Sequence, residues 1–244
     1  MATLTVIRIG LVWLAFAGPS RALADDDQQL AQPIQEFFIA NSVHPQDRGE
    51  WQTTLTVDFA KRHGSSAHVS GQVEYGVTDR LQVQATYPYQ VFTDEPGEHR
   101  GFGKLGLGVG YTLLSTTDPF ALSTALELDL PTGHSGEAIS IDPSITAAKT
   151  FGPIQVHVGL QGELSRSERQ LFYNVAAVYS LHPFYPTCEL NGATGGGGDG
   201  HTLYATPGLY RRIAEHTEIG LGVPFGITAS AAPYGSIMKL TMEW

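Results

Sequence analysis

The chain has 244 residues, with 14 Lys and Arg against 24 Asp and Glu, one cysteine and 28 glycines. The acidic balance argues against a nucleic-acid-binding protein, which needs a basic footprint for phosphates. The lone Cys188 excludes an internal disulfide framework and any paired-cysteine metal or redox motif.

The first segment reads as a secretory signal. Arg8 supplies the positive start, Ile9 to Ala17 is a short apolar core, and Ala22-Leu23-Ala24 is a cleavage site of the A-x-A type. That core is too short to cross a bilayer as a helix, and no later run of about 18 apolar residues follows. Residues 1–24 are therefore expected to be removed near Ala24. The rest has 12 basic residues against 24 acidic ones once Arg8 and Arg21 are gone, a formal charge of −12. Residues 25–50 begin with Asp25, Asp26 and Asp27 and hold one mildly apolar patch, Phe37-Phe38-Ile39. The expectation is a disordered periplasmic leader, the sharper alternative being a plug folded into a lumen.

From residue 51 onward, apolar residues recur with a period of two, the signature of strands. Leu55, Val57 and Phe59 alternate with Thr54, Thr56 and Asp58, and Val69, Val73, Tyr75 and Val77 with Ser70, Gln72 and Glu74. The pattern repeats at 81–89, 105–111, 122–130, 154–160, 173–179, 219–225 and 238–244, and more weakly at 138–148, 184–191 and 202–212. This gives twelve strands, each long enough to cross a bilayer when tilted, and an even number as single-chain bacterial barrels have. Glycine is frequent inside these strands, although ordinary soluble strands avoid it.

Two features favour a transmembrane antiparallel up-and-down β-barrel over a soluble periplasmic sandwich. Aromatics on the apolar face (Trp51, Tyr75, Tyr87, Tyr89, Tyr111, Tyr179 and Trp244) lie near strand ends with aliphatics between them, as interfacial girdles require. The final strand, Met238, Leu240, Met242 and Trp244 on one face, is similar to the C-terminal signal that hands barrels to their assembly machinery. Val77 to Arg80, Ser115 to Pro119 and Lys149 to Pro153 read as compact periplasmic turns, with the longer connections outside. The partners expected are outer-membrane lipid and lipopolysaccharide, the assembly machinery and a small solute, with no nucleic acid.

The inward face predicts an acidic cluster of Asp58, Glu127, Asp129, Asp142 and Glu163, with Lys104 and Lys239 as lumen cations. Rings of charge set selectivity in pores, whereas charge pairing such as Lys104 with Glu127 would merely satisfy a polar interior. Gly106, Gly108, Gly110, Gly159, Gly220 and Gly222 are expected to leave room for a solute. His134, Ser135 and Glu137 are the only visible candidates for a lipid-modifying enzyme. Adjacent residues suit nucleophile and base poorly, so no enzyme is expected. The scattered loop histidines His63, His68, His99, His134 and His201 form no metal motif. No cofactor or metal is expected.

Tyr75 to Leu81, Leu128 to Gly133, Cys188 to Gly192, Thr206 to Leu209 and Gly222 to Pro224 carry a resemblance. These segments resemble the outer-membrane transporters of the MetA pathway of phenol degradation, over about residues 51–244. The resemblance implies an outer-membrane channel for small molecules, aromatic or hydrophobic ones among them, and brings no catalytic residues. The alternatives are a structural or interaction barrel with a blocked lumen and, behind it, the lipid-modifying enzyme.

Overall fold

The computed structural model describes residues 32–61, 64–93, 100–114, 120–132, 138–166, 169–195 and 200–244. The proposed signal segment and the candidates His134, Ser135 and Glu137 lie outside them, as do His63 and His99.

Twelve antiparallel strands form one closed barrel. They are β1 (Trp51–Lys61), β2 (Ser65–Thr78), β3 (Leu81–Thr93), β4 (Leu105–Leu114), β5 (Phe120–Leu130), β6 (Ser140–Phe151), β7 (Ile154–Ser165), β8 (Arg169–Tyr179), β9 (Phe184–Gly195), β10 (Thr202–Ala214), β11 (Thr217–Gly222) and β12 (Tyr234–Glu243). A short piece, Gly101–Phe102, pairs with β3 ahead of β4, and Phe225–Gly226 continues β11 beyond a break at Val223-Pro224. No helix occurs among the described residues. Each strand pairs with its neighbour in sequence, and β1 closes on β12 from Gln52 opposite Glu243 to Lys61 opposite Tyr234. Trp51 and Trp244 exchange backbone hydrogen bonds of 2.9 and 3.0 Å at the seam. Closure pairs every edge, which the backbone of a lipid-embedded sheet requires.

The three weakly patterned strands exist and are long: β6, β9 and β10 each contain a proline, at Pro143, Pro186 and Pro207. Proline donates nothing to a ladder, and β6 and β7 indeed skip pairing between Ile141–Leu164 and Ser144–Gln161. The turns at the end that carries β1's start and β12's finish are tight, as at Asp79-Arg80 and at Gly152-Pro153, where Gly152 has φ 58°. We call this the terminal end and the opposite one the loop end.

The burial pattern is inverted relative to a soluble protein. In β1, Leu55, Val57 and Phe59 are exposed, while Gln52 and Thr54 are 0 % and 1 % exposed. The same holds around the barrel, where Glu74, Glu189, Glu218, Thr206 and Thr241 are buried and Leu107, Leu126, Ile145, Leu160 and Leu190 face outward. An exposed apolar band over a polar interior suits a bilayer and nothing aqueous. Trp51, Tyr111, Tyr179 and Trp244 are exposed at the terminal end, with Tyr75 4.6 Å from Trp51. Tyr87 and Tyr89 meet Phe102 at 4.8 Å toward the loop end. Tyr173 lies across Gly192 on the outer face, where a side chain would collide with its ring. A barrel closed by this seam should resist SDS at room temperature. Unboiled protein is expected to migrate differently from boiled protein, and identical mobility would count against closure.

Residues 32–50 are not a leader outside the barrel. They enter the lumen as an irregular loop and form its apolar centre: Ile34, Phe37, Phe38, Ala40 and Val43 are all buried. The expectation of a disordered segment fails for a physical reason. The lumen offers this stretch an acceptor for its backbone and two slots for its aromatic rings.

Candidate functional site

The lumen divides into a filled side and an open side. The filled side is the wall of β7 to β12 and β1. There Glu189, fully buried, accepts three consecutive backbone N–H bonds, from Phe38 (2.6 Å), Ile39 (3.0 Å) and Ala40 (2.9 Å). Buried amides need acceptors, and one carboxylate supplies all three. Lys239 of β12 donates to the carbonyl of Phe37 at 2.5 Å and lies 3.9 Å from the Glu36 carboxylate. Burial raises the Glu36 pKa, with the Lys239 ammonium pulling the other way.

The rings of the plug are seated by glycines. Phe38 stacks on Tyr210 at 4.5 Å and lies over Gly208 and Gly222, where a Cβ would come within 2.1 and 2.8 Å of its ring. Phe37 meets His157 edge-on at 4.7 Å. At the terminal end, Glu218 accepts from the N–H of Gln35 (3.1 Å) and is paired with Arg212 at 2.6 Å. His44 approaches Gln155 at 3.4 Å, Gln46 bonds Gln82 and Gln52, and a Cβ on Gly76 would overlap the carbonyl of Asp47.

The open side is a cavity of about 300 Å³ between the plug and the wall of β2 to β6, with the loop-end part of β7. Its lining is polar: Gln72, Gln82, Gln84, Thr86, Ser123 and Gln161 contribute along its length, and Glu127 and Asp142 toward the loop end. Beyond them, Lys104 Nζ lies 3.3 Å from Glu163, 4.0 Å from Asp129 and 3.3 Å from Ser140 Oγ, which donates to Asp129 at 3.2 Å. Glu127 accepts from Gln84 Nε2 at 2.8 Å, and Asp142 faces it across the β5–β6 register. Among the described residues, Asp142 Oδ1 has no hydrogen-bond partner.

The structure thus brings together Glu127, Asp129, Asp142, Glu163 and Lys104. It separates the other two predicted charges from them. Asp58 stands on β1 opposite His68, and Lys239 belongs to the plug seat rather than to the acidic cluster. The ion pairs of Lys104 run to Asp129 and Glu163. Nor do the inward glycines simply widen a pore. Gly108 and Gly110 accommodate Gln84 and Gln82, Gly106 the Glu127 carboxylate, Gly159 Asn174, Gly220 Tyr210 and Gly222 Phe38. The sequence pattern assigns no lumen role to Glu189, Tyr210, Gly208 or Glu36. A Phe-Phe pair beside a glutamate, in a leader preceding strands with inward Lys and Glu at mid-length, was the available signal. Of the loop histidines, His201 contacts the Tyr173 hydroxyl, and no group of three metal-ligating side chains occurs among the described residues.

No family model matches the chain, and neither does any curated protein. Solved structures do. The NanC porin aligns with a TM-score of 0.58 at 7 % identity, covering 77 % of this chain and 97 % of its own. The KdgM porin in complex with disordered oligogalacturonate aligns at 0.51 and 10 % identity, covering 78 % and 98 %. What is shared is the fold. The chain is a porin-like closed β-barrel, and identity this low carries no statement about cargo.

Proposed function

We propose that the protein is an outer-membrane channel for small polar solutes, with a preference for cations. The observation that carries this is the polar cavity of about 300 Å³ left beside the plug, with Glu127 and Asp142 in its lining. The outward apolar band and aromatic girdles support a site in the outer membrane, bounded by phospholipid and lipopolysaccharide. They also support insertion by the assembly machinery through the strand ending at Trp244, and the A-x-A pattern of Ala22-Leu23-Ala24 supports export with cleavage near Ala24. Aromatic cargo is what the resemblance to the phenol-pathway transporters implies. The segments that carry that resemblance do not line the cavity, so the lining favours polar cargo instead.

Four carboxylates around one ammonium leave the loop-end cluster negative, and fixed charge at a constriction selects the opposite sign. Refolded protein in planar bilayers is expected to conduct in small steps, with a reversal potential under a KCl gradient that favours K⁺. The double substitution Glu127→Gln with Asp142→Asn should reduce that preference while leaving the barrel folded. Absence of any conductance or solute flux would sink the channel and leave the blocked structural barrel, a reading that the plug itself favours.

A further inference from the structure

We propose that residues 32–50 are a displaceable gate, whose withdrawal from the terminal end exposes a second, wider passage along the wall of β7 to β10. The inference rests on the channel reading. Three observations point to it.

The first is topological. The segment enters beside Glu218 at the start of β11, reaches its deepest point where Asn41 bonds Gln161 at 3.3 Å, and returns to Gln82 and Gln52 at the same mouth. In the described residues both limbs turn toward the terminal end, a geometry in which the loop withdraws without threading a chain through the barrel. The second is the kind of hold. Among the described residues, backbone pairing between the plug and the wall is confined to its last two residues, where Gly49 donates to Gly76 at 2.8 Å and Gly76 to Glu50 at 3.0 Å beside the mouth. Its centre is fixed by the Glu189 carboxylate and Lys239, groups that water solvates well once they are released.

The third is the wall beneath it. Among the described residues, eight buried side-chain polar atoms have no hydrogen-bond partner. Six of these lie on the inward face of four successive strands: His157 Nδ1, Asn174 Oδ1, Thr187 Oγ1, Asn191 Oδ1, Thr206 Oγ1 and Tyr210 Oη. The rings of Phe37 and Phe38 rest against the first and last of them. A wall meant to be covered permanently by phenyl rings would be apolar, since buried polar groups are ordinarily satisfied. This one sets hydroxyls, amides and an imidazole around a smaller apolar seat of Ala176, Val178 and Tyr185, more polar groups than a permanent seat for two rings calls for. The inserted state gains Glu189's three bonds and the burial of two rings, and it forgoes six solvated polar groups. Terms of opposite sign are what a two-state element needs.

The test uses the full chain with Cys188→Ser, Asn41→Cys and Gln161→Cys, bridged by a short thiol-cleavable bifunctional methanethiosulfonate. Single-channel recordings of the unbridged protein should show rare excursions several-fold larger than the basal step. Bridging should abolish them, reduction should restore them, and Glu189→Ala should make them frequent. Deleting residues 32–46 should give the wide step throughout, with the gel shift confirming a folded barrel. If the bridged, reduced and Glu189→Ala proteins all show the same steps, the plug is not a gate although the channel stands. If the folded deletion variant does not conduct, the gate falls with the channel reading itself.

Discussion

Replacing Glu189 by alanine should release the plug while leaving the barrel intact. The carboxylate is fully buried and takes three backbone N–H bonds of 2.6 to 3.0 Å, and the side-chain amide Nδ2 of Asn191 donates to it at 3.3 Å. Hydrogen bonds to a charged acceptor contribute about 1.5–3 kcal/mol each, and a buried donor left unpaired costs about 1–3 kcal/mol. Neighbouring bonds do not add in full, so a net loss of about 4 kcal/mol of plug anchorage is expected. That is roughly a thousandfold in the opening equilibrium. Hydrogen exchange at the amides of Phe38, Ile39 and Ala40 should accelerate by about that factor, since local opening sets it. Strand amides in β1 and β12 should keep their protection. Glu189→Gln, with one acceptor oxygen and an amide facing a donor, should fall between. Unchanged exchange at the three amides in Glu189→Ala would mean that the apolar seat alone holds the plug.

That seat was the part of the molecule hardest to read from sequence. The strands were legible because a half-lipid, half-lumen environment imposes period two on every stave. Proline at 143, 186 and 207 blurred only three of them. The acidic cluster was legible for the same reason: once β5, β6 and β7 alternate, Glu127, Asp142 and Glu163 must share the inward face and the loop-end height. Periodicity says nothing about what an inward residue meets across the lumen. Lys239 was seen as a lumen cation and its partner, the Phe37 carbonyl 202 positions earlier, was not. Inward glycine suggests open space, whereas at Gly220 and Gly222 that space is already filled by Tyr210 and Phe38.

The resemblance acquires a different meaning in this light. Glu189 lies within Cys188 to Gly192, Gly208 within Thr206 to Leu209, Gly222 opens the last of the quoted segments and Gly76 lies within the first. These positions hold or clear space for the plug. At those residues the segments form the receptor for residues 32–50. A chain carrying such a seat without a matching loop would leave a cleft beside Tyr210 where Phe38 now stacks.

Acid should loosen the plug through His44. Its ring is buried at the terminal end, facing Gln155 and, at a centroid distance of 6.0 Å, His157; neither supplies a negative charge. Burial lowers its pKa from 6.5 to about 4, the Gln155 contact offsetting only part of the shift. The inserted plug therefore holds His44 neutral. Above pH 6.5 that costs nothing, because the released loop is neutral too. As pH falls below 6.5 the released loop takes a proton that the inserted one does not, and anchorage declines until about pH 4. The loss approaches about 3 kcal/mol at 1.36 kcal/mol for each pH unit. Glu36 works in the opposite direction. Its pKa is raised by burial, so insertion favours the protonated acid, and its contribution is lost as pH rises through that raised value. The two effects separate in a Glu36→Gln background, where exchange of the plug amides, corrected for intrinsic rate, should quicken by about a hundredfold between pH 6.5 and 4. Adding His44→Gln should flatten that dependence. If it does not, the acid sensitivity belongs to the wall, where His157 is the next imidazole in line.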